Sequence, residues 1–313
     1  MESDEPSTGY PNALAPTLGG RQFWADELFY HDWHVQRNAF TGHCRLLDGS
    51  NIRHAWGSFE ECCAKLERIK RERILPPMRG PAVVVLHGLF RSAASMAHIS
   101  RYLREKGDYS IFNVNYPTTR GELAEHARVL DKVIRSLEGI EEINFVAHSL
   151  GNLVIRHYLG DHTVPELGTR PDDRIKRIVM LGPPNQGAQM AEALGANRMV
   201  HFVAGPSVGQ LGRDWEKVAT KLATPACPFG ILAGGRGTAK GYNPWLGKDN
   251  DLVVSVETTR LDGAADFAVL PVVHTLMMDD PVVQQYTLRF LKHGYFVSQD
   301  ERHPLAPDGP APA

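Results

Sequence analysis

Short apolar runs alternate with amphipathic stretches along most of the chain from Pro81 onward. Several of the apolar runs are rich in β-branched residues, which is typical of strands buried on both faces of a parallel sheet. These runs are AVVVLHG, YSIFNVNYP, INFVAHS, IKRIVMLGPP, CPFGILAGG and DFAVLPVV. Stretches with helical spacing lie between or after them: SAASMAHISRYLREKG, GELAEHARVLDKVIRSLEG, LGNLVIRHYLG and DPVVQQYTLRFLKHG. The alternation predicts an α/β domain with a mostly parallel sheet and right-handed crossovers.

A hairpin followed by a helix is predicted ahead of that domain, over residues 41–78. Two short strands flank a turn formed by Asp48 and Gly49. Ser58 and Glu61 form the S-x-x-E pattern of a capping box, so we expect a helix to begin there. Apolar side chains then recur at helical spacing and indicate a face that packs on the main body: Phe59, Cys62, Cys63, Leu66 and Ile69. No residue of this extension suggests chemistry of its own.

Composition sets the limits of the main domain. Residues 1–40 are predicted to form a flexible segment, because the beginning of the chain is rich in Pro, Gly and Ser. The α/β domain is expected at 79–297, and residues 298–313 are expected to form a disordered tail, since they end in a Pro-rich run. Residues 188–226 within the domain are partly apolar and Gly-rich, and are interpreted either as a lid over an active site or as ordinary cap packing.

Composition and charge also exclude several classes of protein. The 313 residues are 42% hydrophobic and 22% charged, which suits one sizeable globular domain. A net charge of -2 gives no basis for a nucleic-acid partner. The four cysteines lack C-x-x-C spacing, so a zinc site and a disulfide framework are both weak interpretations. The acidic N-terminus has no apolar run typical of a secretory signal, and no stretch reaches the length of a membrane span, so the sequence predicts a soluble, cytoplasmic protein. The alternative is the trimmed form of an exported protein.

A candidate nucleophile lies in the segment FVAHSLGNL, between a predicted strand and a predicted helix. Ala147-His148-Ser149-Leu150-Gly151 differs from the G-x-S-x-G motif of serine hydrolases by the methyl group of Ala147. In that motif a sharp turn lifts the serine hydroxyl above the sheet, and small residues on both sides let the strand and helix backbones approach closely. The alternative is a serine that caps the following helix.

A second candidate segment is His87-Gly88-Leu89, at the end of the first apolar strand. A serine of this kind needs an N–H donor from the loop after that strand and another from the residue after the nucleophile. These would be the backbone N–H groups of Leu89 and Leu150, which would form an oxyanion hole. Each such donor stabilises the transition state by roughly 3 kcal/mol. The alternative is a plain strand-end turn in which His87 is a packing residue.

The acid that should orient a catalytic imidazole is sought in the segment GKDNDLVVSVETTRLDG. Asp251 directly precedes LVVSV and is the favoured carboxylate. Asp249, two residues earlier, is the second candidate. Asp262 lies in a Leu-Asp-Gly turn and is interpreted as structural.

His274 is the candidate base, because it follows the last predicted strand and precedes the final predicted helix. His148, next to the candidate nucleophile, is expected to point into the packing. The resulting chain order is Ser149, Asp251, His274, which is the order of α/β-hydrolase triads and differs from that of the serine proteases.

These segments resemble the lipase and esterase branch of the α/β-hydrolase superfamily, and in particular the small bacterial triacylglycerol lipases. The resemblance rests on VVVLHGLF, VAHSLGNLVIR, MLGPPNQGA and DNDLVVSVETTRLDGA…VLPVVHTLM, and covers about residues 80–296. It implies the α/β-hydrolase fold, a mostly parallel sheet flanked by helices. It also implies substrate contacts around the oxyanion loop, the nucleophile and the Pro-containing loop at 182–187. The residues expected to make those contacts are His87, Gly88, Phe90, His148 and Pro184.

The resemblance implies hydrolysis of carboxylic esters through an acyl-enzyme, without a metal or an organic cofactor. The expected partner is a small acyl ester or a lipid, and contact with a lipid interface is compatible with that substrate. A phospholipase, another lipid deacylase or a thioesterase would use the same triad, and the fold does not separate them. A hypothesis of a different class is a non-catalytic lipid-binding or interaction protein on a hydrolase scaffold. The hairpin and helix at 41–78 are alternatively an interaction or dimer element.

Overall fold

The computed structural model describes residues 15–16, 21–162, 170–187 and 215–306. Within these residues the chain forms a five-stranded antiparallel sheet followed by a six-stranded parallel sheet. The first sheet contains β1 (Ala15–Pro16), β2 (Trp24–Tyr30), β3 (Trp33–Asn38), β4 (Cys44–Leu47) and β5 (Ile52–Gly57), in the order β1-β5-β4-β3-β2. The second contains β6 (Pro81–Leu86), β7 (Ser110–Val114), β8 (Glu142–His148), β9 (Ile175–Leu181), β10 (Phe229–Gly234) and β11 (Asp266–Leu270), in the order β11-β10-β9-β8-β6-β7.

The parallel sheet is covered by helices on both faces, which confirms the predicted α/β-hydrolase architecture. The helices are α2 (Ala97–Gly107), α3 (Leu123–Ser136), α4 (Leu150–Asp161), α5 (Trp215–Ala219) and α6 (Pro281–His293), after α1 (Phe59–Glu72) of the N-terminal part. One core contains Val84 and Phe145 with residues of α3 and α4. The other contains Val83 and Val146 with residues of α2 and α6. Burial on both faces explains why these strands are almost wholly apolar. None of the helices in the described ranges is long and apolar enough to span a membrane.

The predicted hairpin and helix are present as β4, β5 and α1. Ser58 and Glu61 form the capping box, with the Glu61 N–H donating to the Ser58 hydroxyl at 3.1 Å. The apolar face of α1 covers one face of the antiparallel sheet and forms a small core of its own. That core contains Trp33, Val35, Cys44, Leu46, Ala55, Cys62, Leu66 and Ile69.

The prediction of a flexible segment at 1–40 is wrong for its described residues beyond Arg21, because β2 and β3 lie there. The strand pattern was hidden by charged side chains that are buried here. Asp26 and Glu27 are 0% and 6% exposed. His34 pairs with Asp26 at 2.7 Å, and Arg37 pairs with Glu27 at 2.9 Å. Buried charges with partners look like surface residues in a hydrophobicity pattern.

The prediction of a disordered tail from residue 298 is also wrong for residues 298–306. The backbone of Leu305 exchanges hydrogen bonds with the loop before β11, at 3.0 Å to Ala264 and 2.9 Å from Gly263. The His303 N–H donates to the Asp266 carboxylate at 2.9 Å. This segment is therefore held by backbone pairing, which composition does not reveal. Residues 1–14, 17–20 and 307–313, together with most of the proposed lid at 188–226, lie outside the described residues.

Candidate active site

Ser149 occupies a sharp turn between β8 and α4. Its backbone has φ +52° and ψ -121°, a left-handed conformation that non-glycine residues rarely adopt. Its N–H donates to the Leu181 carbonyl at 2.9 Å, which ties the turn to the end of the neighbouring strand β9. The strained turn therefore places the serine at the carboxyl end of the sheet, where open α/β sheets carry their sites.

The two small residues of the Ser149 motif are under different constraints. A Cβ at Gly151 would lie 3.0 Å from the carbonyl oxygens of both Leu86 and His87, so helix α4 passes too close to β6 for a side chain. Ala147 is fully buried in the main core beside its register partners Leu86 and Met180, and its methyl group is accommodated there. Ala147, which replaces the first glycine of G-x-S-x-G, therefore lies at the position of the motif where a methyl group fits.

The loop after β6 lies against the Ser149 turn. A Cβ at Gly88 would be 3.0 Å from both Ser149 Cβ and His148 Nδ1, so glycine is needed for this contact. Leu89 follows directly, and Leu150 is the first residue of α4, where helix geometry leaves N–H groups without intrahelical acceptors. The N–H groups proposed for the oxyanion hole therefore belong to two segments that meet at the serine.

His274 and Asp251 form a buried pair. His274 Nδ1 lies 2.6 Å from Asp251 Oδ2, and the two residues are 5% and 0% exposed. The other carboxylate oxygen accepts the N–H groups of Val253 at 3.0 Å and Val254 at 2.7 Å. A carboxylate that accepts from Nδ1–H leaves Nε2 of the neutral ring as the basic nitrogen. Gly182 makes room for this ring, because a Cβ there would lie 3.0 Å from His274 Nδ1.

Asp249, the second candidate for the acid, has a different set of contacts. Its carboxylate accepts the N–H groups of Arg236 at 2.8 Å and Gly237 at 2.9 Å. These bonds shape the loop that follows β10, and the described contacts of this side chain do not include the imidazole of His274. Asp262 is exposed. The geometry favours Asp251.

His148 lies beneath the pair, with its ring centroid 4.5 Å from that of His274. Its Nε2 is 3.0 Å from the His274 carbonyl oxygen, and the residue is 1% exposed. Burial, together with the nearby imidazole of His274, holds the pKa of His148 well below its ordinary value. The neutral ring therefore donates Nε2–H to the backbone of the base. The substrate contact expected for His148 is therefore wrong, because its buried side chain supports the His274 loop from inside.

His87 is likewise too deep to contact a substrate. It is 0% exposed, its Nδ1 lies 2.9 Å from the Gly88 carbonyl, and burial lowers its pKa to about 4. Its ring stacks on Tyr116 at 4.3 Å, and the Tyr116 hydroxyl donates to the His87 carbonyl. Tyr116 was missed by the sequence interpretation. It lies two residues after the end of β7, in the NYP segment, and that position near a strand end is the signal that could have identified it.

Residues 81–306 match the family of the alpha/beta hydrolase fold. This chain belongs to the α/β-hydrolase family. Among solved structures, this hydrolase resembles a lipase of Staphylococcus hyicus, with 12% identity and a TM-score of 0.49 over 70% of this chain and 95% of the lipase. It also resembles the product of the lin2722 gene of Listeria innocua, with 15% identity and a TM-score of 0.46 over 72% of this chain and 98% of that one. Esterase B of Lactobacillus rhamnosis is 15% identical, with a TM-score of 0.46 over 69% of this chain and 76% of the esterase. A search of curated proteins found no match.

The loops of this hydrolase that carry the candidate catalytic residues also expose apolar side chains. Phe90, beside Leu89, is 49% exposed, and its backbone has φ +58° with its N–H donating to Thr118 Oγ1 at 3.1 Å. Leu252, beside Asp251, is 45% exposed, and Leu276, two residues after His274, is 53% exposed. Single exposed apolar side chains are common on protein surfaces, but each of these three lies within two residues of a candidate catalytic group.

Pro184, expected to contact substrate, lines a narrow cleft in the same part of the molecule. Val253 and Val254, which follow Asp251, line it as well, together with Leu246 and Gly187. The cleft is mostly apolar and begins at the loops of the acid. Its position is compatible with the predicted role of Pro184, which stays a prediction.

Proposed function

We propose that this α/β-hydrolase cleaves carboxylic esters with an apolar acyl chain, using Ser149, His274 and Asp251. The observation that carries the proposal is the buried 2.6 Å contact between His274 Nδ1 and Asp251 Oδ2, at the same edge of the sheet as the strained serine. A strained serine turn, an oriented imidazole and two converging N–H groups together form the constellation that acyl transfer needs.

In the proposed reaction Ser149 Oγ attacks the ester carbonyl while His274 Nε2 accepts its proton. The negative charge on the carbonyl oxygen is held by the N–H groups of Leu89 and Leu150. When the intermediate collapses, the bond to the alcohol breaks and His274 donates its proton to the leaving oxygen. A water molecule then gives a proton to His274 and attacks the acyl-enzyme. The bond between the acyl carbon and Ser149 Oγ breaks, His274 returns the proton to that oxygen, and the acid is released. Asp251 holds the ring in the required tautomer and stabilises its cationic form.

The exposed apolar side chains support an acyl substrate rather than a small polar ester. Phe90, Leu252 and Leu276 each lie one or two residues from a proposed catalytic group. An acyl chain that covers them would remove apolar surface from water, at about 25 cal/mol per Å² buried. We therefore expect the rate of hydrolysis to rise as the acyl chain lengthens from acetyl to medium chains.

The test is hydrolysis of p-nitrophenyl esters from acetate to palmitate by the wild type and by Ser149→Ala. Loss of a serine nucleophile reduces kcat by about 10⁴-fold or more. Ser110→Ala, at the amino end of β7 on the opposite edge of the sheet, is the matched control and should keep full activity. A fluorophosphonate probe should label the wild type and the control but not Ser149→Ala. Equal turnover by the wild type and Ser149→Ala would refute the proposal, and an unlabelled wild type without turnover would favour a non-catalytic role.

A further inference from the structure

Gln22, in the N-terminal part of the chain, contacts two loops at the carboxyl edge of the parallel sheet. It lies in a 3₁₀ turn (Arg21–Phe23) directly before β2. Its side-chain N–H donates to the Arg91 carbonyl, in the loop after β6. Its Oε1 accepts the Thr118 hydroxyl at 3.2 Å, the Thr119 hydroxyl at 3.3 Å and the Thr119 N–H at 3.4 Å, in the loop after β7. A backbone carbonyl only accepts and a backbone N–H only donates, so these contacts determine the orientation of the amide.

The position of Gln22 is fixed by the start of β2. The Trp24 carbonyl accepts the side-chain N–H of Asn115 at 2.7 Å. The Asp26 N–H donates to the Asn115 carbonyl at 2.9 Å, and Asp26 Oδ2 accepts the Asn115 N–H at 2.6 Å. Asn115 directly follows β7. The antiparallel sheet is therefore attached to the loop after β7, and Gln22 extends that attachment to the loop after β6.

Thr118 transmits the contact of Gln22 to Phe90. Thr118 is 0% exposed, and its Oγ1 accepts the Phe90 N–H at 3.1 Å while its own proton is donated to Gln22. The φ of Phe90 is +58°, a left-handed conformation that costs a residue with a side chain roughly 1–2 kcal/mol. Two hydrogen bonds hold Phe90 in this conformation: its own bond to Thr118, and the bond from the Arg91 N–H to the Gly88 carbonyl at 3.3 Å.

Leu89, whose N–H is proposed for the oxyanion hole, lies between two fixed neighbours. On one side Gly88 packs against the nucleophile turn, since a Cβ at Gly88 would lie 3.0 Å from Ser149 Cβ. On the other side Phe90 is held by Thr118. Because the loop is anchored at both ends, a return of Phe90 to negative φ would rotate the preceding peptide groups, including the Leu89 N–H. A hydrogen bond weakens steeply as its angle bends, so this rotation would weaken the contact with an oxyanion.

We propose that Gln22 is a positioning residue for the oxyanion hole. With Thr118 it holds the loop after β6 in the conformation that aims the Leu89 N–H at the reacting carbonyl oxygen. This inference rests on the proposed ester hydrolysis and deepens it. It makes the antiparallel sheet a part of the active site, because that sheet holds Gln22 in place.

Steady-state hydrolysis of p-nitrophenyl butyrate by variants of the full chain tests the inference. Gln22→Met keeps the length of the side chain and removes both hydrogen-bonding groups, and Thr118→Val keeps the shape and removes the hydroxyl. Each should lower kcat by about tenfold or more and leave KM within about threefold, because a displaced oxyanion donor affects the transition state. Thr118→Ser keeps the hydroxyl and should retain kcat within about threefold of the wild type. The double variant of Gln22→Met and Thr118→Val should lose no more than the larger single loss, because both changes act through Phe90.

Ser136→Ala is the matched control. It removes another hydrogen bond between the antiparallel sheet and the hydrolase domain, from the Phe29 N–H to Ser136 Oγ at 3.1 Å. Ser136 is the last residue of α3 and makes no contact with the loop after β6 among the described residues. The variant should lower the free energy of unfolding and leave kcat unchanged. A loss of kcat in Gln22→Met alone is therefore not a general effect of loosening the sheet.

The matching thionoester, in which sulfur replaces the carbonyl oxygen, shows which catalytic group is affected. Sulfur is a weak acceptor, so a thionoester gains little from the N–H donors. The ratio of kcat for the oxygen ester to kcat for the thionoester should therefore fall by about tenfold in Gln22→Met. Equal losses on both substrates would mean that Ser149 or His274 is displaced, and would overturn the inference. It would also be overturned if Gln22→Met and Thr118→Val both kept the kcat of the wild type while Ser149→Ala was inactive. Equal turnover of the oxygen ester by the wild type and Ser149→Ala would instead refute the proposed function, and the inference with it.

Discussion

The two sheets of this hydrolase bury their strands in different ways. The strands of the parallel sheet are covered on both faces by helices, and their buried positions are almost all apolar. The antiparallel sheet has an apolar face under α1 and a polar face toward the hydrolase domain, where Asp26, Gln36 and Arg45 are buried. The parallel sheet is stabilised by non-directional burial, and the antiparallel sheet depends on specific polar partners.

This difference determines where each sheet can carry chemistry. In the parallel sheet the groups proposed for catalysis lie in segments after the strands: the Leu89 N–H follows β6, Ser149 follows β8, Asp251 follows β10 and His274 follows β11. In the antiparallel sheet the polar groups belong to the strands themselves, where the two-residue alternation orients them. The parallel sheet therefore serves as a rigid platform, whereas polar groups of the antiparallel sheet hold a loop of that platform directly.

The largest expected effect concerns the acid at the carboxyl edge of the parallel sheet. Asp251→Asn should lower kcat by about 10⁴-fold, because an amide at this position favours the wrong imidazole tautomer. Asp249→Asn is the matched control, since Asp249 bonds to backbone N–H groups of the loop after β10. It should reduce stability modestly and leave kcat within about tenfold of the wild type. Steady-state hydrolysis of a p-nitrophenyl ester measures both. Equal losses in the two variants would contradict the assignment of Asp251.

The second effect is a loss of stability in acid that originates in the hydrolase domain. Burial lowers the pKa of His87 to about 4, that of His126 to about 3, and that of His148 well below its ordinary value. In the unfolded chain these groups titrate near 6.5, so below that pH the unfolded state binds protons that the native state does not. Stability is therefore present above about pH 6.5 and falls as the pH decreases toward the folded values. One pH unit below 6.5 each group should remove on the order of 1 kcal/mol, so the free energy of unfolding measured in urea should be lower at pH 5.5 than at pH 7.5 by roughly a few kcal/mol.

Two variants test whether the buried histidines, and not other titrating groups, cause the loss of stability in acid. His126→Asn should reduce the difference between the two pH values by about a third, even if it changes the absolute stability. Thr287→Ala, at a fully buried position of α6 without a titratable side chain, is the control and should leave the difference unchanged. If the free energy of unfolding changes between pH 7.5 and 5.5 by the same amount in the wild type and in His126→Asn, the buried imidazoles are not the cause of the change.

The same contrast explains how much the sequence predicts. The strands of the parallel sheet were identified because their burial appears directly as runs of apolar residues. Ser149, Asp251 and His274 were proposed for catalysis because each lies beside such a strand or in the loop after it, and their role stays a prediction. The sequence interpretation missed β2 and β3, whose buried charges have partners that are distant along the chain, such as Lys132 for Glu27. It also assigned a substrate contact to His87, because a sequence pattern shows that a histidine is near a site but not whether its ring points outward. His148 was included among the contacts implied by the resemblance, although the residue pattern itself placed its ring in the packing, where the structure has it.

The third prediction compares the small core under α1 with the core that the parallel sheet forms with α3 and α4. Leu46 is 0% exposed in the small core under α1, and Leu46→Ala should lower the free energy of unfolding by about 3 kcal/mol through lost burial and the cavity left behind. We expect one cooperative transition, because Phe29 of β2 packs in the main core against Phe112 at 5.6 Å and joins the two parts. Val84→Ala in the parallel sheet is the matched change. Urea unfolding of the two variants, followed by fluorescence and by hydrolysis of a p-nitrophenyl ester, measures the two losses. A separate early transition in Leu46→Ala would show that the antiparallel sheet unfolds as an independent unit.

The smallest expected effect is at the ion pairs of Glu27, which connect β2 with β3 and with helix α3. Glu27 is 6% exposed and is paired with both Arg37 and Lys132. Burial alone would raise its pKa, but the hydrogen bonds from these two cations outweigh burial, and the net shift is downward. The Lys132 side chain is 53% exposed, so Lys132→Met should lower the free energy of unfolding by less than about 1 kcal/mol while Arg37 still neutralises the carboxylate.

Removing both cations gives a different result from removing either one. Arg37→Met alone should also have a small effect, because Lys132 remains. The double variant leaves Glu27 buried without a partner, so its loss should exceed the sum of the single losses by more than about 1 kcal/mol at neutral pH. Lowering the pH toward 5 should reduce that excess, since the unpaired carboxyl can then take up a proton. Additive losses would mean that water reaches Glu27, and that this part of the antiparallel sheet tolerates unpaired charge as a solvent-exposed surface does.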